Sequence, residues 1–131
     1  MSPKIRPITS RLKPHTSPPD PMKVIKIATA LRGLKKLNDE IRYVDCFADK
    51  QFTAGLITFG PSKNSNRKQI NHADKDVVCH VIKGSGRLRV NGKRISLEPG
   101  TICHIPKGTP HDFASGKGGD LVLFYSLIKT A

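Results

Sequence analysis

Gly100-Thr101-Ile102-Cys103-His104-Ile105-Pro106-Lys107-Gly108-Thr109-Pro110-His111 is the stretch that decides how this chain folds. Proline locks φ and offers no N–H to a strand ladder, so Pro106 ends one strand, and the chain must turn by Pro110 before another begins. His111 opens that new strand. Immediately upstream, Arg87-Leu88-Arg89-Val90-Asn91-Gly92-Lys93-Arg94-Ile95-Ser96-Leu97 alternates polar and apolar residues about an Asn-Gly pair. Asn-Gly suits the left-handed backbone of a two-residue hairpin turn, and the alternation marks half-buried strands. Three adjacent strands are expected.

The same signals extend outward in both directions. Arg42 to Phe47 and Gln51 to Phe59 read as strands around a turn at Ala48-Asp49-Lys50, and Gly60-Pro61-Ser62-Lys63-Asn64-Ser65-Asn66 reads as a loop. Val77 to Lys83 is a further strand, and Leu121 to Ile128 is a continuous apolar run behind a Gly-rich loop. Some eight short strands separated by turn signals describe an all-β fold, a small antiparallel barrel or jelly roll. With 131 residues, 37% of them hydrophobic, the chain has enough material for one core.

Ahead of the strands, residues 1–21 carry Pro3, Pro7, Pro14, Pro18, Pro19 and Pro21 among Ser, Thr, Lys and Arg, a composition that sustains neither helix nor core. They are expected to form a disordered basic arm, leaving residues 22–131 as a single domain, with Met22 an alternative start for the folded part. From Val24, Ile27, Leu31, Leu34 and Leu37 fall at helical spacing, with Asn38-Asp39 as the stop, which predicts a short N-terminal helix packed outside the barrel. The alternative is a short strand at Lys23 to Ile27 followed by a helical turn.

The formal net charge is +13. A basic field attracts anionic small molecules, nucleic acid or acidic surfaces. The Lys and Arg residues are dispersed along the chain, there is no Trp, and no nucleic-acid reading motif is present, so a solvated basic surface is favoured over a nucleic-acid or acidic-partner adaptor. Three cysteines, Cys46, Cys79 and Cys103, form no Cys-x-x-Cys pair, and read as buried thiols in a reducing compartment. No apolar run reaches membrane-span length and no secretory leader is read, so the expectation is a cytoplasmic protein without a membrane partner.

Gly100, five residues, Pro106, one residue, Gly108, two residues and His111 resemble the second sequence motif of the cupin superfamily, with Ser115 where that motif usually has Asn. The resemblance reaches back through Gly84-Ser85-Gly86 and the Asn91-Gly92 hairpin and spans Arg42 to Leu127. It implies a cupin-like jelly roll with a ligand cavity, and commonly a homodimer that covers the sheet edges. The functions it implies are broad, since cupins include isomerases, lyases, dioxygenases and binding or sensing domains.

The family's first motif has two His separated by one residue, then a Glu, then Gly. Anchored on Gly84, the Glu falls at Val77, the second His at His72 and the first at Ile70. What the resemblance implies for metal is therefore His72 and His111; two imidazoles need a third, anionic ligand to hold one divalent ion (Fe, Mn, Zn or Ni), and Asp74 or Asp76 lies close enough in sequence to supply it. Strand alternation carries Val77, Cys79 and Val81 to one face and His80 to the other. If Val77 points inward, Cys79 lines the cavity, and Phe113, two residues along the strand from His111, joins it. The competing reading makes His72 a loop residue, Asp74 and Asp76 solvated carboxylates, and His111 a hydrogen-bonding residue of a metal-free pocket.

Two functional readings stand. One is a cupin that binds a small anionic organic molecule, with a metal-dependent isomerase, lyase or dioxygenase as its enzymatic form. The other is a metal-free, non-catalytic binding or sensing module.

Overall fold

The computed structural model describes residues 22–61 and 72–130. The expected arm and most of the expected loop after Gly60 lie outside the described residues. Nine strands form two sheets: β1 (Lys35–Lys36), β2 (Ile41–Ala48), β3 (Phe52–Phe59), β4 (Lys75–Lys83), β5 (Gly86–Val90), β6 (Lys93–Leu97), β7 (Ile102–Ile105), β8 (His111–Ser115) and β9 (Leu121–Lys129). The larger sheet has the order β1-β2-β3-β9-β4-β7 and the smaller β6-β5-β8, with every pairing antiparallel. This is the expected all-β jelly-roll architecture.

The Asn91-Gly92 hairpin forms in the expected register, Val90 opposite Lys93 and Arg89 opposite Arg94. Both turn residues have positive φ, 51° at Asn91 and 74° at Gly92, the conformation for which these residues are suited. A second turn is closed by a side chain: the Asp49 carboxylate accepts from the N–H groups of Gln51 and Phe52 at 2.7 and 3.2 Å, joining β2 to β3.

Two expectations are corrected. The stretch from Gly86 to His111 does not make three adjacent strands. β7 crosses to the larger sheet to pair with β4, and β8 returns to the smaller sheet on the far side of β5. Each strand has one apolar face to bury, and crossing lets successive strands bury it against opposite sheets. The N-terminal helix is also shorter than its periodicity suggests. One α-helical turn (Ile27–Ala30) runs into a 3₁₀ turn (Leu31–Gly33), and the two-residue β1 pairs with β2, so a strand follows the helical turn rather than preceding it. No residue of either turn is buried, so no tertiary contact extends a nucleus this short.

The core lies between the sheets. Leu56, Leu97, Leu121, Leu123, Val81 and Cys79 are almost wholly buried. Phe59 of β3 and Phe113 of β8 stack across the gap with ring centroids 5.1 Å apart, tying the larger sheet to the smaller. β9 is the centre of the larger sheet, flanked by β3 and β4, which explains its uninterrupted apolar run. On the outer face of the smaller sheet, Arg89 meets its directly opposed neighbour Asp112 at 2.7 Å, and Asp112 is 4% exposed. One arginine of the basic surface is therefore spent on a mostly desolvated ion pair.

Candidate ligand pocket

Strand parity builds a cavity of about 290 Å³ between the sheets. Along β4, Val77, Cys79 and Val81 are buried and His80 is exposed, and Val77 and Cys79 line the cavity. β9 adds Leu123, Tyr125 and Leu127, β3 adds Ile57 and Phe59, β2 adds Tyr43 and Asp45, and β8 adds His111 and Phe113. His72, just ahead of β4, and Leu37, beside the short β1, complete the wall. Leu37 thus belongs to the pocket, where a helical reading had set it outside the barrel.

His111 is buried, and its Nδ1 lies 2.8 Å from the carbonyl of Thr109. A carbonyl only accepts, so Nδ1 carries the proton and Nε2 keeps its lone pair in the neutral ring. The Gly108 N–H donates to the carbonyl of His72 at 2.7 Å, which ties the entry to β4 to the turn before β8. That tie sets the His72 and His111 rings 5.9 Å apart, centroid to centroid, and His111 meets the edge of Phe113 at the same separation. Burial first, then the neighbouring His111 and Lys75, lower the pKa of His72 below its ordinary 6.5, with Asp74 opposing. His72 is therefore uncharged at neutral pH.

A second polar pair faces the same cavity. Asp45 of β2 and Tyr125 of β9 are not neighbours; both are register partners of Gly55 on the intervening β3. With no side chain at Gly55, the Tyr125 hydroxyl reaches across and donates to Asp45 Oδ1. Burial, followed by this bond to Asp45, raises the pKa of Tyr125, so the phenol stays protonated and keeps its role as donor. β2 carries a bulge between Asp45 and Phe47, opposite the Gly55–Ala54 step.

Of the residues singled out in the sequence, His72, Cys79, His111 and Phe113 all line this cavity. Asp74 is exposed and reaches His72 only through its charge. Asp76 does not line the cavity. It shares the outward face of β4 with His80, and its carboxylate is engaged by His104 Nε2 at 2.9 Å and the Lys107 N–H at 3.0 Å, contacts that lower its pKa. Tyr43, Asp45 and Tyr125 were not singled out. Alternation along β2 puts Ile41, Tyr43 and Asp45 on one face, and a carboxylate on an otherwise apolar face was the readable signal.

Among the described residues, the donor set does not fit a divalent metal ion. Two imidazoles converge, but no group of three His, Cys, Asp or Glu side chains among the described residues could hold an ion. Burial pushes the Cys79 thiol up to about 12, so it is not a ready thiolate. Two imidazoles without a third donor placed to join them make a weak site for Fe, Mn, Zn or Ni. Among the described residues no Lys or Arg lines the cavity, and the one carboxylate there repels anions, so these residues do not favour an anionic ligand.

No helix among the described residues is long and apolar enough to cross a membrane. No curated protein matches the chain. Solved structures match its fold over most of its length. TT1209 from Thermus thermophilus is 20% identical, with 82% of this chain and 98% of that one covered and a TM-score of 0.66. The polyketide cyclase RemF from Streptomyces resistomycificus is 18% identical, covering 82% and 79%, with a TM-score of 0.67. KdgF from Halomonas sp. is 16% identical, covering 74% and 88%, with a TM-score of 0.60. At such identities the likeness speaks for the fold alone. A family model described as a cupin domain matches residues 55–127, more than half of the chain and all of β4 to β8, and with it the two-sheet jelly roll and its central pocket mark this chain as a member of the cupin family.

Proposed function

We propose that this cupin domain is a metal-independent binding module for a small, largely apolar organic molecule. The observation that carries the reading is the makeup of the cavity, which has hydrocarbon and aromatic walls and two imidazoles, with no third donor side chain among the described residues placed to share an ion with them. A volume of about 290 Å³ lies at the low end of ligand pockets, which run from about 300 to 1,000 Å³, and suits a body of one or two fused rings. Apolar contact supplies the affinity, and the imidazoles and the Tyr125–Asp45 pair orient the polar group of the ligand. The expectation of an anionic ligand is set aside in favour of one without negative charge.

The test is calorimetric titration of 1-naphthalenemethanol into full-length protein freed of metal by a chelator. Saturable binding at one site per chain is expected. Binding that appears only after a divalent metal is restored would refute the reading.

Association as a homodimer belongs to the same proposal. Ile95 on β6 and Ile102 on β7 are 42% and 71% exposed, line one shallow groove, and sit on strands that end their respective sheets. Pairing such edges with a second copy removes both the apolar exposure and the open ladders. Sedimentation at micromolar concentration is expected to show a dimer, and Ile102→Lys to shift it to monomer; a monomeric parent protein would remove the idea.

A further inference from the structure

We infer that the pocket selects organic ammonium ions, an amine carried on an apolar body, over neutral or anionic molecules of the same shape. This deepens the proposed function and rests on it. The polar atoms offered to a ligand are mostly acceptors. Asp45 gives one carboxylate oxygen to the Tyr125 hydroxyl, and no donor among the described residues reaches the other. In the neutral ring of His111, with Nδ1 donating to Thr109, Nε2 is an acceptor. The phenol of Tyr125 is already committed to Asp45. A ligand that satisfies these acceptors must bring donors, and an ammonium group brings up to three together with a charge opposite to the carboxylate.

The surrounding rings point the same way. Tyr43, Phe59, Phe113 and Tyr125 line the cavity that Asp45 enters, and aromatic faces attract organic cations. Among the described residues no Lys or Arg lines it to compete, although Lys35, the register partner of Tyr43, stands exposed nearby. The net charge of +13 does not overrule this. Asp45 is itself exposed, but a ligand cation touching it lies well inside the roughly 10 Å over which charges are felt at 0.1 M salt, whereas the dispersed surface charges farther off are screened.

Three probes of one shape separate the possibilities: 1-naphthylmethylamine, 1-naphthalenemethanol and 1-naphthoate, titrated into the full-length protein near neutral pH. The amine is expected to bind about tenfold or more tighter than the alcohol, and the carboxylate most weakly. Asp45→Asn, which keeps the shape and an acceptor for Tyr125, is expected to remove most of the amine's advantage over the alcohol. Tyr125→Phe, which frees the second carboxylate oxygen, is expected to retain the amine's advantage. Equal binding of amine and alcohol, or an amine preference that survives Asp45→Asn, overturns the inference while the pocket reading stands. Failure of all three probes overturns both.

Discussion

Phe113→Ala is expected to destabilise the domain by about 3–5 kcal/mol. Phe113 is 4% exposed, stacks on Phe59 across the gap between the two sheets, and lines the cavity. Truncation removes the ring and its edge contact with His111, and it enlarges a cavity that the rigid strands cannot close. Against a typical total stability of about 5–15 kcal/mol the loss is severe. Thermal unfolding should show a midpoint roughly 10–25 °C lower. Phe52→Ala, at a position 39% exposed, is the control and should cost less than about 1 kcal/mol. Equal losses at the two positions would show that the contact between sheets does not hold the fold together.

The second large effect is expected at Gly55. A Cβ built there lies 2.0 Å from the Val44 carbonyl oxygen and 3.0 Å from Asp45 Cα, both backbone atoms of β2 at its bulge. No side-chain rotation relieves such a contact, so Gly55→Ala must push β2 away from β3. A loss of about 2–3 kcal/mol is expected, at the upper end for overpacking. The same displacement should part Asp45 from Tyr125, since both are held in register by Gly55. Gly33→Ala is the matched control. Its Cβ would meet nothing within 4 Å and its φ is not positive, so a neutral or slightly stabilising change is expected. Denaturant unfolding of both variants measures the contrast, and a Gly55→Ala protein as stable as its parent would contradict the close approach.

Local chemistry was legible in the sequence and long-range placement was not. Asn91-Gly92, Pro106 and the parity of β4 are signals within a few residues, and each appears in the structure as read. The helical spacing from Ile27 to Leu37 is also local, yet only a turn forms, because periodicity without a tertiary partner leaves a short helix unsupported. Crossing between sheets is decided by which faces must be buried together, which no hairpin signal encodes. The Asp45–Tyr125 pair joins residues eighty positions apart in sequence through a bare glycine on a third strand, so nothing near either residue announces it. The anionic-ligand expectation came from total charge, whereas among the described residues no Lys or Arg lines the cavity and the one carboxylate there belongs to Asp45.

The central claim, that the pocket works without a metal, is tested most directly by one comparison. The affinity for 1-naphthalenemethanol is measured on metal-free full-length protein, then with one equivalent of Fe(II), Mn(II), Zn(II) or Ni(II) added. The account predicts the same affinity within about twofold in every case, with no ion retained through dialysis. An affinity raised about tenfold or more by one of these ions, and lost again in His72→Ala or His111→Ala, would contradict it.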